Sequence, residues 1–309
     1  MRNSVPPDLV SPVVTAAHDA GATNLIIGWL RDRSDIELRT CLAGPAAELW
    51  TAAFGGVKIV PLTDALQGAG TLLSGTSYAS SLEHQARFLA KERGIRSIGV
   101  IDHWVNYPDR FIREGTRVLP DEIWVADEDA LAIAVACFPG IAVRQQPNLY
   151  LAGLVAQVRA ADIEPRHGKS RRVLYALEPI CHPWAQGGEA GEFQALDYFV
   201  QCGQHLGLDA TAEIRLRPHP SDPQGKYDAW LARNAGWNLC LDPNPSLAKS
   251  IAWADTVVGC ETYALVVGLA AGRRVVSALP PQAPRCRLPM KDIIHLRDIP
   301  ALNHSGSAS

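Results

Sequence analysis

The sequence predicts an α/β protein built from two open parallel sheets, each covered by helices. Three observations carry this. Short apolar, β-branched runs alternate with helix-like segments from one end of the chain to the other, as parallel strands joined by crossover helices do. The 309 residues, 47% of them hydrophobic, suffice for two ordinary cores. A polar stretch, RAADIEPRHGKSRR (159–172), interrupts the alternation with little to bury and reads as a linker. The expected domains are residues 1–150 and 151–309.

In the first domain strands are expected at 12–17, 36–42, 57–60, 71–74, 97–102 and 122–126, and helices at 20–31, 45–54, 62–68, 79–93 and 128–137. The clearest helix is SSLEHQARFLAKERG. There Ser80 or Ser81 supplies a cap, Leu82, Phe88 and Leu89 fall largely on one face, and Gly94 stops the helix. A helix-like stretch follows Pro147 and Asn148. In the second domain strands are expected at 172–177, 212–217, 237–241, 255–259 and 273–279, and helices at 189–206, 224–234, 245–253 and 262–271. Beyond Pro280 the chain is proline-rich, and the ending NHSGSAS reads as frayed. Ligands of open parallel sheets collect at the carboxyl ends of the strands, which for two such domains predicts a cleft between them.

Composition excludes several classes. A net charge of −3 provides no global field for nucleic acid or an anionic membrane, so an anionic ligand must be met by local groups. Seven scattered cysteines without a C-x-x-C pair form neither a disulfide framework nor a zinc site, and fit a reducing compartment. The N-terminal prolines break any signal peptide, and no apolar run approaches the roughly 20 residues that span a bilayer. The expectation is a cytoplasmic protein with no transmembrane segment, with peripheral membrane contact left open. There is no Walker loop, G-x-S-x-G elbow, H-E-x-x-H or complete G-x-G-x-x-G, and no D-x-D on a strand end. No metal or cofactor is expected.

Two segments of the second half suit a phosphate. In EIRLRPHPSD a strand ends in Arg217-Pro218-His219-Pro220, a fixed cation and an imidazole on backbone stiffened by two prolines. The structural alternative is that the prolines merely end a strand against which His219 packs. In DTVVGCETYALVVGLAAGRRVV a buried strand breaks at Gly259, and Cys260-Glu261-Thr262 opens a helix whose free N–H groups can bind phosphate oxygens. Thr262 adds a hydroxyl and Glu261 an acceptor for a ribose; the alternative is an ordinary N-cap.

With those residues in place, the half from about 171 to 280 resembles the nucleotide-binding domain of GT-B-fold glycosyltransferases. R-x-H-P on one strand and a hydroxyl-bearing helix start two strands later resemble the CMP-sugar sialyltransferases, the related capsule transferases and the CDP-glycerol polymerases. The resemblance implies two Rossmann-like domains, with His219 and Thr262 on the donor's phosphate; Arg217 and Pro220, at the same strand end, and Glu261 are candidates for the donor's phosphate or nucleotide from the residues themselves. This chain has Cys260-Glu261-Thr262 where two adjacent hydroxyl residues are common in sialyltransferases. Glu178, after strand 172–177 in LEPICHPWAQGGEAGE, adds a donor-side contact, with Gly187-Gly188 able to let the loop close.

The first half supplies the acceptor side. VVTAAHDAGATN runs an apolar strand into His18-Asp19, where a carboxylate can take a proton from an acceptor hydroxyl; otherwise Asp19 caps the following helix near Thr23. This turn resembles the Asp/Glu-Gly step that carries the base in bacterial sialyltransferases. IGVIDHWVNYPDRF delivers Asp102, His103, Trp104, Asn106 and Tyr107 to one strand end, and GTSYASSLE adds Thr76 and Ser77. Aromatic faces beside carboxylate, amide and hydroxyl groups suit a sugar, unless Trp104 and Tyr107 anchor a structural loop. Asp19, Asp102 and His103 are the catalytic candidates; His18, Thr76, Ser77, Trp104, Asn106 and Tyr107 are candidates for the acceptor or sugar.

The expected function is transfer of a sugar, such as a CMP-linked acidic one, from a nucleotide-activated donor to a hydroxyl acceptor on a bacterial surface glycan, as in polysaccharide biosynthesis. A nucleotide-sugar hydrolase or 2-epimerase of the same fold is the alternative. A non-catalytic subunit of a glycan-assembly complex is a third reading, favoured if Asp19 and Asp102 are both buried and bonded to backbone.

Overall fold

In the computed structural model, residues 9–56, 58–161, 171–184 and 188–300 are described. The chain divides into two units, Met1–Tyr150 and Leu151–Ser309. Most of the expected linker, Gly187 of the glycine pair and the NHSGSAS ending lie outside the described residues.

Unit 1 alternates β1 (Val13–Ala17), α1 (Ala20–Leu30), β2 (Leu38–Leu42), α2 (Pro45–Phe54), α3 (Leu62–Ala65), β3 (Thr71–Ser74), α4 (Leu82–Glu92) and β4 (Arg96–Val100). A small antiparallel pair, β5 (Ile112–Arg113) and β6 (Thr116–Arg117), precedes β7 (Glu122–Val125), α5 (Glu128–Cys137), β8 (Ala142–Gln145) and α6 (Leu149–Ala161), a helix that begins in unit 1 and continues into unit 2. Its six-stranded sheet is parallel throughout, in the order β2-β1-β3-β4-β7-β8. Every residue of β1 is buried because both faces of the sheet are covered. Val13 and Ala17 join one core with Ile26, Trp29, Trp50 and Trp124, and Val14 and Ala16 join the other with Leu72, Ala86 and Ala90. Each fully buried aliphatic chain contributes about 1.5–3 kcal/mol.

Unit 2 contains β9 (Arg172–Ala176), α7 (Gly191–Gln201), β10 (Glu213–Arg217), α8 (Asp228–Arg233), β11 (Leu239–Leu241), α9 (Leu247–Trp253), β12 (Thr256–Gly259), α10 (Tyr263–Ala270), β13 (Arg274–Ser277) and β14 (Ile294–His295). Its sheet is also parallel, in the order β11-β10-β9-β12-β13-β14. Val173, Tyr175, Leu216, Trp230 and Val258 belong to its main core.

The differences from expectation are local. Of the segment expected as a strand at 57–60, residues 58–60 are described and make a single bridge, Thr40 to Ile59, and the helix expected at 189–206 ends at Gln201 before a separate 3₁₀ turn. β8 and β14 were not foreseen: β8 is an exposed edge strand and β14 has two residues, so neither leaves an apolar run. In α4 the expected face is buried in part: Leu82 and Leu89 pack partly buried against the core, Phe88 is 48% exposed, and Glu83 and Arg87 are each 1% exposed beside Ala86 and Ala90.

Candidate functional site

In each sheet the strand order reverses beside the unit's first strand, between β1 and β3 in unit 1 and between β9 and β12 in unit 2. Such reversals leave a crevice at the carboxyl ends of the strands, where ligands of open sheets bind. The residues singled out from the sequence sit at or near these two points.

In unit 1, β1 ends at Ala17 and hands His18 and Asp19 to the turn before α1. Asp19 occupies the N-cap position, yet its side chain caps nothing: Thr23 Oγ1 donates instead to the Asp19 carbonyl at 2.6 Å. The Asp19 carboxylate, 45% exposed, lies 2.7 Å from His18 Nδ1. The imidazole rests over Gly44, where a Cβ would come within 2.6 Å of Nε2, and Gly44 has the positive φ of 52° that favours glycine. Beneath the turn, the His18 N–H donates to buried Glu83 Oε1 at 2.9 Å. Burial pushes the Glu83 carboxyl up, against the hydrogen bonds it accepts from its own and the His18 N–H. An imidazole oriented by a carboxylate has one nitrogen left for proton transfer, so this turn has the parts of a base.

Asp102, at the end of β4, is less open. Its Oδ1 accepts from Arg110 Nη1 at 3.1 Å, and its carboxylate packs so closely on Gly21 that a Cβ there would fall 1.7 Å from Oδ2. Arg110 Nη1 also donates to Thr76 Oγ1 at 3.2 Å, while the Thr76 hydroxyl donates to the Val100 carbonyl. Asp102 and Thr76 are thus brought together, through a guanidinium that sequence reasoning missed. Neither Asp19 nor Asp102 is bonded to backbone through its carboxylate, so the condition set for the non-catalytic reading is not met.

The aromatic expectation needs correction. Trp104 is 7% exposed and its Nε1 donates to Asp127, the N-cap of α5, at 3.0 Å; Tyr107 is 2% exposed and stacks with Phe138. Both rings anchor the loop, as the structural alternative had it, because their burial leaves no face for a sugar. Ser77 is 5% exposed, and its Oγ accepts from Ala79 N. Asn106 is exposed with φ 59°, its carbonyl accepting from Tyr78 OH, and the His103 ring lies 5.4 Å from that of Trp104.

Unit 2 separates its candidates more sharply. Arg217 is committed elsewhere: Nη1 donates to Asp242 Oδ2 at 2.8 Å, to the Asn244 carbonyl and to Ser250 Oγ, and the Asp242 side chain is fully buried. Alternation along β10 sends Glu213, Arg215 and Arg217 to one face, where Arg215 lies over Trp253, so the expected phosphate cation is an ion-pair partner. His219 is exposed. Its backbone N–H donates to Asp222 Oδ2, and its Nδ1 accepts from the Ser221 N–H at 3.2 Å. A backbone N–H only donates, so in the neutral ring Nδ1 is bare and Nε2 carries the proton, a free donor for an anion. Against the pull of burial, hydrogen bonds from Lys226, Tyr227 and the His219 N–H hold the Asp222 carboxyl below its usual range and keep this turn in place. Pro220 is exposed beside His219.

At the β12–α10 turn the amides expected to hold phosphate are already occupied. Glu178 Oε1 accepts from the N–H groups of Cys260 at 2.8 Å and Glu261 at 2.9 Å, and Oε2 from Glu261 at 3.1 Å. Burial pushes this carboxyl up to about 7, partly offset by those N–H groups. The Glu261 carboxylate is not free for a ribose, because Arg287 holds both its oxygens through N, Nε and Nη2. Thr262 is the ordinary N-cap of the alternative reading, accepting from Ala264 N at 3.2 Å.

Sequence reasoning missed Glu83, Arg110, Asp222, Asp242 and Arg287. Of these, Glu83 carried a signal, the E-x-x-x-R spacing to Arg87 on one helix face, and Asp222 stands two residues after the second proline. Among the described residues no group of three or more His, Cys, Asp or Glu could hold a metal, and no helix is long and apolar enough to cross a membrane.

No family model matches this chain, and no curated protein matches it. Solved structures do. The chain is similar to UDP-GlcNAc 2-epimerase from Neisseria meningitidis bound to UDP-GlcNAc, with 12% identity, 86% of this chain and 82% of that one covered, and a TM-score of 0.58. UDP-GlcNAc 2-epimerase from Methanocaldococcus jannaschii gives 9% identity, 86% and 83% coverage and a TM-score of 0.58. The glycotransferase of kitacinnamycin gives 16%, 88% and 80%, and 0.50. At such identities the likeness is one of fold, and the fold is the two-sheet α/β architecture of GT-B-type nucleotide-sugar enzymes.

Proposed function

We propose that this chain acts on a nucleotide-activated sugar and breaks the bond between its anomeric carbon and the nucleotide's phosphate, as a nucleotide-sugar 2-epimerase or hydrolase. The observation that carries the reading is the fold likeness to UDP-GlcNAc 2-epimerases over more than four-fifths of both chains. The residues suit the chemistry. Inverting C2 requires a base to take the C2 proton; the C–H electrons form a C1=C2 bond as the C1–O pair leaves with the nucleotide diphosphate, and the change is completed when the diphosphate oxygen re-forms the C1–O bond and a proton adds to the opposite face of C2. His18, oriented by Asp19, supplies the base, and the His219 Nε2–H supplies a donor for charge building on the phosphate. Hydrolysis needs the same leaving group and a water in place of the re-addition.

Glycosyl transfer is the second reading, supported by the likeness to the kitacinnamycin glycotransferase. The same base would then deprotonate an acceptor hydroxyl. Incubation with UDP-GlcNAc in D₂O, followed by proton NMR, separates these. Deuterium at C2 marks the epimerase, free sugar with UDP the hydrolase, and turnover only with an added glycan the transferase. Absence of both turnover and binding for UDP-, CMP-, CDP- and GDP-sugars would overturn the proposal.

A further inference from the structure

Because His219 is exposed, the direction of its Nε2–H is set by the turn that carries it, residues 218–222, and not by a pocket around the ring. One carboxylate closes that turn. Asp222, its side chain 2% exposed, accepts the His219 N–H at Oδ2 at 2.9 Å, while its own N–H donates to the His219 carbonyl at 2.9 Å. Tyr227 OH donates to the same Oδ2, and Lys226 Nζ donates to Oδ1 at 2.7 Å. The lysine reaches further. Its Nζ lies 2.6 Å from Oε1 of Glu192, a buried carboxylate in the first turn of α7. A single ammonium thus ties the His219 turn to a helix.

We infer that Lys226 is a positioning residue: by holding Asp222 against Glu192 it fixes the turn that aims the His219 Nε2–H at the leaving phosphate. The inference rests on the reading of His219 as the phosphate donor. It deepens that reading by naming the group that aims the donor without touching the ligand.

Two observations give the ammonium this task rather than a share in stability alone. The first is that packing leaves the turn room to move. Beside Lys226 lies an open cavity of about 290 Å³, lined by Ala190, Phe193, Ala229 and Trp230, so side-chain contact on that side does not hold the lysine in place. The second is that the triad is poorly built for stability. Two buried carboxylates share one cation, which leaves one negative charge in excess, and Glu192 Oε2 is buried without a hydrogen-bond partner among the described residues. Burying such charges costs more than their attraction returns unless every polar atom is satisfied, whereas a hydrogen-bonded ion pair fixes direction as apolar contact does not. Burial works against the lysine's charge, and the hydrogen bonds to Asp222 and Glu192 more than offset it, so the ammonium holds its proton.

The ring of His219 reports the outcome without any ligand. Long-range ¹H–¹⁵N correlation spectra of the full chain, recorded on the alkaline side of the ring's titration, are expected to show one tautomer in the parent, protonated at Nε2, and a mixture of both in Lys226→Met. Should Lys226→Met fail to fold, Glu192→Leu cuts the tie to α7 while leaving the neutral Lys226–Asp222 pair, and the same mixture is expected there. UDP affinity by calorimetry should fall about tenfold in Lys226→Met, the worth of one hydrogen bond to a charged group. Made in His219→Ala, the same change should cost less than about twofold, because the lysine acts only through that ring. A residue that merely supports the fold would weaken both backgrounds alike. An unchanged tautomer in the variants, or equal losses of UDP affinity in the two backgrounds, would each overturn the inference. If the tautomers mix as expected while the parent does not bind UDP, the phosphate role of His219 fails and the positioning of its ring by Lys226 stands.

Discussion

Each unit places a carboxyl at the point where its strand order reverses, and the two carboxyls are used differently. Glu83 reaches the β1 turn from α4, is 1% exposed, and gives one oxygen to the His18 N–H beside the fully buried Arg87 guanidinium. Glu178 stands at a strand end and meets only amides. Glu83 is closed in by the helix that carries it and has a cation beside it, whereas Glu178 is held by amide dipoles with no cation among the groups acting on it. The same division holds among the cations and imidazoles. Arg217 is locked onto Asp242, while His219 presents Nε2–H. A polar group at a strand end is available to a ligand only where the fold has not already spent it.

The strongest test of that division is Arg217→Ala. It leaves the Asp242 carboxylate buried without its partner, and should lower stability by about 3–5 kcal/mol in urea unfolding. A stable variant with weakened nucleotide binding would return Arg217 to the ligand side. Next comes Glu83→Ala, which leaves the His18 N–H without its acceptor and opens a cavity, at a cost of about 2–4 kcal/mol.

A third test uses pH. The Glu178 carboxyl is raised from 4.5 to about 7, so the folded protein binds the extra proton and the unfolded chain does not. Its contribution is fully present below pH ~4.5 and is lost as pH rises through ~7, a fall on the order of 3 kcal/mol. Stability curves of the parent and Glu178→Gln should diverge across that window, and parallel curves would show an unperturbed carboxyl. The smallest effect concerns His219→Ala: stability should change by less than about 0.5 kcal/mol, since the side chain is exposed, while nucleotide affinity falls by about 1.5–3 kcal/mol. Unchanged affinity by calorimetry would leave unit 2 without its proposed donor.

Local sequence pattern sets the architecture and the places where chemistry can stand. Alternating apolar runs located ten of the sheet strands, β1 to β4, β7 and β9 to β13, and the residues that end them, because period and turn chemistry are local properties. His18-Asp19, Asp102, Glu178 and His219 were legible for that reason. Which of these groups is free is settled by the folded packing. Asp242 lies 25 residues from Arg217, Glu83 lies 65 from His18, and Cys260 lies 82 from Glu178. None of these pairings leaves a mark in the local pattern. Burying a charge is costly, so each buried charge takes whatever partner the fold brings within reach, and that choice is made by packing between distant segments. The same cause extends the buried face of α4: beside Leu82 and Leu89 it takes in Glu83 and Arg87, because Arg87 finds acceptors on Ser74, Gly75 and Val118 that only the folded sheet and its loops assemble.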